Sequence, residues 1–289
     1  MAPRLWPAPA RRASAILAAM DELRRLLERL WQGYAAMNPQ VAAIHALLAA
    51  EGESVVNDHI ALRTFGDPRV DIAALARPFV RAGYRAAGEY RFVEKRLVAR
   101  HFAHDDPALP LVFISELVLA ACSPGLREAV TRMLAQVPAE LLAGDDLAAA
   151  GRPWQVRFAE VEALRSESEY AAWLAAFGWR ANHFTVLTNA LTKYRELPAL
   201  LTFLEGHGFS FNTAGGAIKG APAVGLEQAS TLASAVAVEF TDGAHVVPGC
   251  YYEFARRHPG PDGALFRGFI EGSADRIFES TDRGYTGRR

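Results

Sequence analysis

What most constrains this 289-residue chain is a pattern that occurs twice. VVNDHIALRTF, residues 55–65, sets His59 and Arg63 inside an apolar run, and ANHFTVLTN, residues 181–189, sets His183 into a similar frame behind another polar residue. Gly83-Tyr84 follows His59 by 24 residues and Gly208-Phe209 follows His183 by 25. A carboxylate then closes each copy: Glu116 in ISEL, 57 residues after His59, and Glu253 in YYEF, 70 after His183. A repeated unit decides the architecture, because the copies bury against each other the faces that neither can bury alone.

The hydrophobic period supplies the elements. DELRRLLERLWQGYAAM and PQVAAIHALLAA repeat apolar residues three and four apart behind a capping Asp21, so residues 20–54 are helical. Over 55–122 the order is a strand, the helix DIAALARPFVRAGY, and strands around YRFVEKRLVARHF and LPLVFISELVL: a βαβββ module. Residues 123–178 form a helical connection through SPGLREAVTRMLAQV and SESEYAAWLAAFGW. The second module, 179–257, has strand NHFTVLT, helix ELPALLTFLEGHGF, the glycine-rich NTAGGAIKG, and strands AVAVEFTDG and PGCYYEFARR. Residues 258–289 make a C-terminal tail, and 1–19 a disordered or mis-annotated extension. The expected fold is α+β: two βαβββ modules forming a curved, incomplete barrel, with added N-terminal and central helices, in one catalytic domain over 20–289.

Side chains two apart on a strand share a face, so His59, Ala61 and Arg63 point one way while Ile60 and Leu62 hold the core side. His183, Thr185 and Leu187 share a face in the second copy, as do Tyr251, Glu253 and Ala255 in the last strand. Brought together inside the barrel, His59, His183 and Glu253 make the two-imidazole, one-carboxylate set that holds non-haem Fe(II) with positions left open. Glu116 stands beside them as a fourth ligand or as a partner of a ligand, and Glu239 sits near a turn. His101 and His104 run into an aspartate-proline loop and read as solvated surface. Arg63 lies roughly 13 Å along the strand from His59, yet its side chain reaches back far enough to clasp a carboxylate in two parallel hydrogen bonds. The competing role is a salt bridge at the strand end. TAGGAIKG is no phosphate loop, since its lysine precedes the last glycine; it is a mobile loop by the cavity or a connector. Glu227, Gln228, Ser230 and Thr231 in LEQASTLA either line the site or cap a helix.

Charge narrows the partners. Lys+Arg 31 against Asp+Glu 32, without long like-charge blocks, leaves no electrostatic footprint for nucleic acid or an anionic membrane. A small molecule is the expected partner. Cys122 and Cys250 are too few and too far apart for a disulfide framework or a zinc knuckle. No apolar run suits a membrane span, and AILAAM is too short for a signal peptide core. The expected compartment is cytoplasmic.

NDHIALRTF, ISEL, ANHFTVLTN, GGAIKG, LEQAST, GCYYEFARR and IFESTD together resemble the 2-oxoadipate dioxygenase/decarboxylase (2-hydroxyglutarate synthase) family of the vicinal-oxygen-chelate superfamily, over about residues 20–289. The resemblance is to its short branch; longer members carry extra C-terminal sequence that contributes to the pocket. It implies an Fe(II) enzyme in which His59, His183 and Glu253 match the metal ligands and Arg63 a substrate-binding arginine. The implied reaction takes a 2-oxo dicarboxylic acid and O2 to CO2 and a 2-hydroxy acid one carbon shorter, as 2-oxoadipate gives 2-hydroxyglutarate in lysine breakdown. Two rivals remain at this point. One is a glyoxalase-like isomerase or lyase in which Glu116 joins the other three around a redox-silent metal, and the other is a non-catalytic small-molecule binding protein.

Overall fold

The computed structural model describes residues 9–282, with side chains from Ala18 onward. Helix α1 (Pro9–Met37) buries Leu23, Leu26, Leu30 and Tyr34 along one stripe. It begins before Met20, so residues 9–19 of the extension expected to be disordered or mis-annotated are helical backbone; residues 1–8 lie outside the described residues. Pro39 ends α1 by disfavouring helix at the residue before it. It then opens α2 (Pro39–Ala50), which buries Val41, Ile44 and Leu48. Among the described residues no helix is long and apolar enough to cross a membrane.

The first module contains β1 (Asn57–Phe65), α3 (Ile72–Arg81), β2 (Arg85–Phe92), β3 (Leu97–Ala103) and β4 (Leu111–Leu117). A helical stretch follows: α4 (Pro124–Leu134), α5 (Ala139–Ala143), α6 (Phe158–Arg165) and α7 (Glu169–Phe177), the last buried along its length from Tyr170. The second module contains β5 (Ala181–Leu187), α8 (Leu197–Gly206), β6 (Lys219–Ala221), β7 (Leu226–Ser230), β8 (Ala235–Phe240), β9 (Gly243–Pro248) and β10 (Glu253–Arg257), and α9 (Glu271–Phe278) comes last. The matched Gly-aromatic pairs have a local cause. Gly83 (φ 108°) and Gly208 (φ 89°) take the left-handed turn that stops α3 and α8 and sends the chain back to the sheet.

One eight-stranded sheet runs β2-β3-β4-β1-β5-β10-β7-β6. The order is palindromic. β1 and β5 pair antiparallel at its centre, β4 and β10 flank them in parallel, and β3 and β7 follow antiparallel. The sheet is therefore a curled half-barrel made of two copies of one unit, closed by neither edge strand. α1 covers its outer face at the seam, with Trp31 and Tyr34 against Phe184 at ring distances of 5.0 and 5.1 Å.

One expectation about the second module fails, and two open ones are resolved. AVAVEF is no barrel strand: β8 pairs with β9 in a separate hairpin, exposing Ala235, Ala237 and Glu239, and leans on α6 through Phe240 and Phe158, 5.5 Å apart. LEQAS caps no helix: it is β7, with Gln228 and Ser230 buried, and Gln228 takes the other expected role by lining the site. The glycine-rich loop leads directly into edge strand β6, where Lys219 is buried and donates to the Asn212 carbonyl. Nor are residues 258–282 a plain tail. Arg257 Nη1 donates to the carbonyls of Phe266 (2.8 Å) and Gly268 (2.9 Å), folding the chain back so that Phe269 and α9 lie across the mouth of the half-barrel.

Candidate metal centre and its pocket

His59 comes from β1, His183 from β5 and Glu253 from β10, three adjacent strands whose register sets His59 and Glu253 level on either side of Thr185, with His183 two residues along β5. His59 faces Thr185, and Thr185 faces Glu253. Their donor atoms crowd together: His59 Nε2 lies 3.4 Å from His183 Nε2, and the Glu253 carboxylate spans the pair, with Oε1 3.5 Å from His59 Nε2 and Oε2 3.3 Å from His183 Nε2. All three residues are buried, and among the described residues they are the cluster able to hold a metal ion.

The register shows how each histidine is aimed. Asn57 faces Val186 and His59 faces Thr185, so Asp58 is an extra residue on β1; Ala61 faces His183 and Leu62 faces Ala181, so Asn182 is an extra residue on β5. These are two β-bulges, one in each copy, each directly before its histidine. A bulge breaks the alternation of faces, and here it lets a residue touch the ring of its own chain neighbour. Asp58 Oδ2 lies 2.8 Å from His59 Nδ1, and Asn182 Oδ1 lies 3.2 Å from His183 Nδ1. An ionised carboxylate and an amide oxygen only accept, so each Nδ1 carries the proton and each Nε2 presents a lone pair.

Two lone pairs and a carboxylate thus face one another across about 3.4 Å, an arrangement that a cation between them stabilises. Metal–ligand bonds of about 2.1 Å spread at 90 to 109° span edges of roughly 3.0 to 3.4 Å, so the donor set fits a divalent metal. The electrostatics agree. Burial, with the Arg63 charge beyond it, pushes His183 well below its ordinary value, keeping it neutral. Burial opposes ionisation of Asp58, but the Arg257 charge and hydrogen bonds from His59 and Arg257 hold its carboxyl well below the usual range. Burial raises Glu253, with His59 and the Gln228 amide pulling the other way; Gln228 Nε2 donates to its Oε1 at 2.6 Å.

A narrow cavity of about 20 Å³ opens from the triad, lined by Arg63, Phe113, Ser115, Asn182, Gln228, Tyr251 and the capping Phe269, Ile277 and Phe278. The Arg63 guanidinium sits over the rings of Tyr170 and Trp173, both at 5.1 Å, and of Phe278 at 5.5 Å. Its Nη2 reaches Thr281 Oγ1 at 3.3 Å, and its Nε, though buried, makes no hydrogen bond. The helical connection and the tail thus furnish the box around Arg63, a role absent from the sequence reading.

The other candidates go elsewhere. Equivalent registers pair Ala61 with Phe113 and Thr185 with Glu253, so the first-module counterpart of Glu253 is Phe113 and not Glu116. Glu116 Oε2 instead accepts from Ile72 N at 2.9 Å, capping α3 outside the cavity. That removes the four-ligand arrangement. His101 is not solvated surface: it is buried on β3, bonded to Tyr90 OH at 2.8 Å and packed on Phe269, and burial together with nearby positive charge pushes it down to about 4. His104 stays at the loop with its ring against Tyr84, and Glu239 is exposed on β8. Glu227 pairs with His258 at 2.7 Å, Ser230 bonds Ser280 at 2.9 Å, and Thr231 Oγ1 accepts from Tyr252 N at 3.0 Å, so of that group Gln228 alone lines the cavity. Asp58 and Asn182 were missed as partners of the histidines, although both stand in the quoted motifs.

Comparison with known proteins gives consistent matches. The sequence model of a family described as 2-oxoadipate dioxygenase/decarboxylase matches residues 18–266. A chloroplastic 2-oxoadipate dioxygenase/decarboxylase of Arabidopsis thaliana is 32% identical over 306 residues, covering 96% of this chain and 82% of that protein. The crystal structure of the hydroxyglutarate synthase of Oryza sativa in complex with 2-oxoadipate superposes with a TM-score of 0.88 at 30% identity over 100% of both chains. A Shewanella frigidimarina structure carrying the working description of a hydrolase has a TM-score of 0.81 at 45% identity, over 86% of this chain and 97% of that one.

Proposed function

The chain belongs to the 2-oxoadipate dioxygenase/decarboxylase family, and from that premise we propose that it converts a 2-oxo dicarboxylic acid like 2-oxoadipate, with O2, to CO2 and the 2-hydroxy acid one carbon shorter. His59, His183 and Glu253 would hold Fe(II), and Arg63 would hold the carboxylate far from the metal. The observation that carries this reading is the pairing of a buried three-donor set with a buried, ring-boxed guanidinium in one cavity. The reaction balances without a reductant, since 2-oxoadipate plus O2 has the atoms and electrons of 2-hydroxyglutarate plus CO2. When bound, the iron supplies open coordination positions and the electron density that O2 activation needs.

The protein's part is placement. Asp58 and Asn182 keep both imidazoles with their Nε2 lone pairs available to the metal they would hold, and Gln228 fixes the Glu253 carboxylate beside them. Tyr170, Trp173 and Phe278 hold the guanidinium flat and keep water from it, which strengthens its attraction for an anion. Phe269, edge-on to His59 at a ring distance of 4.8 Å, shuts the reacting end from solvent. The test is O2 uptake and CO2 release by Fe(II)-loaded protein on 2-oxoadipate, with the product identified by mass. Turnover that continues under anaerobic conditions, or with zinc in place of iron, would refute it.

A further inference from the structure

Six buried side-chain polar atoms among the described residues make no hydrogen bond, and four belong to residues of this cavity: Arg63 Nε, Asn182 Nδ2, Tyr251 OH and Gln228 Oε1. Unpaired buried groups are costly and therefore rare. Three of these four are donors, and the register places them. Moving along β1 from the triad, Ala61 is level with His183, whose ring stacks on Tyr251 at 4.6 Å; the bulged Asn182 comes next, opposite the step from Ala61 to Leu62, and then Arg63. Tyr251 OH lies beside the guanidinium, whose charge partly offsets the rise that burial and Glu253 impose on the phenol. The three donors therefore line the stretch from the metal ligands to Arg63, at residues only 0 to 2% exposed.

We propose that Asn182 Nδ2 and Tyr251 OH join Arg63 in one receptor for the distal carboxylate of the substrate. This rests on the function proposed above and deepens it. A carboxylate offers about four lone-pair sites, so Arg63 alone leaves acceptor capacity that a buried anion must fill. The inner methylenes of a 2-oxo dicarboxylate offer these donors nothing, so the anion is their partner. The repeat sharpens the assignment. At the position matching Asn182 the first copy has Asp58, whose oxygens are taken by His59 and Arg257 and which has no donor to give. Asn182 does what Asp58 does for its histidine and keeps an amide N–H pair in reserve.

The experiment compares kcat/KM on 2-oxoadipate and on 2-oxohexanoate, which has the same chain length and no distal carboxylate, for wild type, Tyr251→Phe and Asn182→Ala at saturating Fe(II). Metal affinity is read separately by chelator competition. Tyr251→Phe keeps the ring on His183 and should lose roughly 10- to 100-fold on the dicarboxylate with little change on the monocarboxylate and unchanged metal affinity. Asn182→Ala should bind metal more weakly, because His183 loses its Nδ1 partner, and should show the same selective loss once metal is saturating. Equal losses on both substrates, or none, would assign both residues to holding His183 and overturn the receptor. A wild type without preference for the dicarboxylate would instead refute the role of Arg63, so the two failures are distinguishable.

Discussion

Asp58→Asn tests how the first histidine is held, because the second copy already contains the product of that change: an asparagine before a ligand histidine. The introduced amide oxygen could still accept from His59 Nδ1, as Asn182 does from His183 at 3.2 Å. What the variant would lose is charge. Asp58 is bound through Oδ1 by Arg257 Nε at 2.6 Å and through Oδ2 by Arg257 Nη2 at 2.8 Å, with side-chain exposures of 3% and 4%. Removing one partner of a buried pair costs about 3–5 kcal/mol. Arg257 keeps two carbonyl partners through Nη1, so the lower end applies, about 3 kcal/mol, or a fall of roughly 5 °C in Tm for a chain of this length. The neutral amide also makes His59 a poorer donor, which should weaken metal binding about tenfold, the low end for such partners.

The double variant Asp58→Asn/Arg257→Met separates these effects. Deleting the orphaned guanidinium removes the unpaired charge but also the Nη1 bonds to Phe266 and Gly268, so it should recover part of the stability and none of the metal affinity. The pH dependence follows from the depressed Asp58 pKa, whose stabilisation is complete above the unfolded value and is lost only as pH falls through the lower folded one. The Tm difference between Asp58→Asn and wild type should therefore be flat from pH 5 to 8. Differential scanning calorimetry and chelator competition read the two quantities. An unchanged Tm in the single variant would refute the buried-charge reasoning, and a double variant with wild-type metal affinity would show that the metal defect came from the fold.

Other expectations can be checked with the same preparations. His183→Ala should lose most of its iron by elemental analysis while keeping the far-UV circular dichroism of wild type, since the opposite sheet face makes the core; full occupancy would remove His183 from the ligand set. Arg63→Lys keeps charge but not the planar fork between three rings, so KM for 2-oxoadipate should rise at least tenfold with iron retained, and a wild-type KM would make Arg63 structural. Glu116→Ala should cost about 1 kcal/mol through the lost α3 cap and leave metal binding untouched; loss of metal would reinstate Glu116 as a ligand. Burial, with Glu169 nearby, pushes Asp282 up to about 6, so its ionised form opposes folding above that pH. Asp282→Asn should raise Tm by a few degrees at pH 7.5 and hardly at pH 4, and an equal gain at both would refute the titration.

The repeat was legible because it rests on local chemistry: an imidazole in an apolar strand, and a left-handed glycine behind a helix. Counting residues failed where the copies differ by insertion. The β8–β9 hairpin lies between β7 and β10, so distance along the chain could not reveal that Phe113, not Glu116, stands in the place of Glu253. β7 was misread because Gln228 and Ser230 face a polar interior, which an apolar period cannot detect. His101 looked exposed because its loop neighbours are charged, while the capping Phe269 that buries it lies 168 residues away. The ring box around Arg63 is equally non-local, drawing Tyr170 and Trp173 from α7 and Phe278 from α9. The bulges were hidden for another reason, since an extra residue has no signature until the partner strand is known.

The seam between β1 and β5 sets a rule of parity. Two identical modules joined about a two-fold axis can offer ligands only in pairs: two histidines with two glutamates, or two histidines with two phenylalanines. An odd set of three donors, with one side left for reactants, requires that the halves differ, and among the donor positions they differ at one, Phe113 against Glu253. Carrying both modules on one chain lets each drift from the other while their contact stays fixed. The open side of the metal is thus a product of broken symmetry.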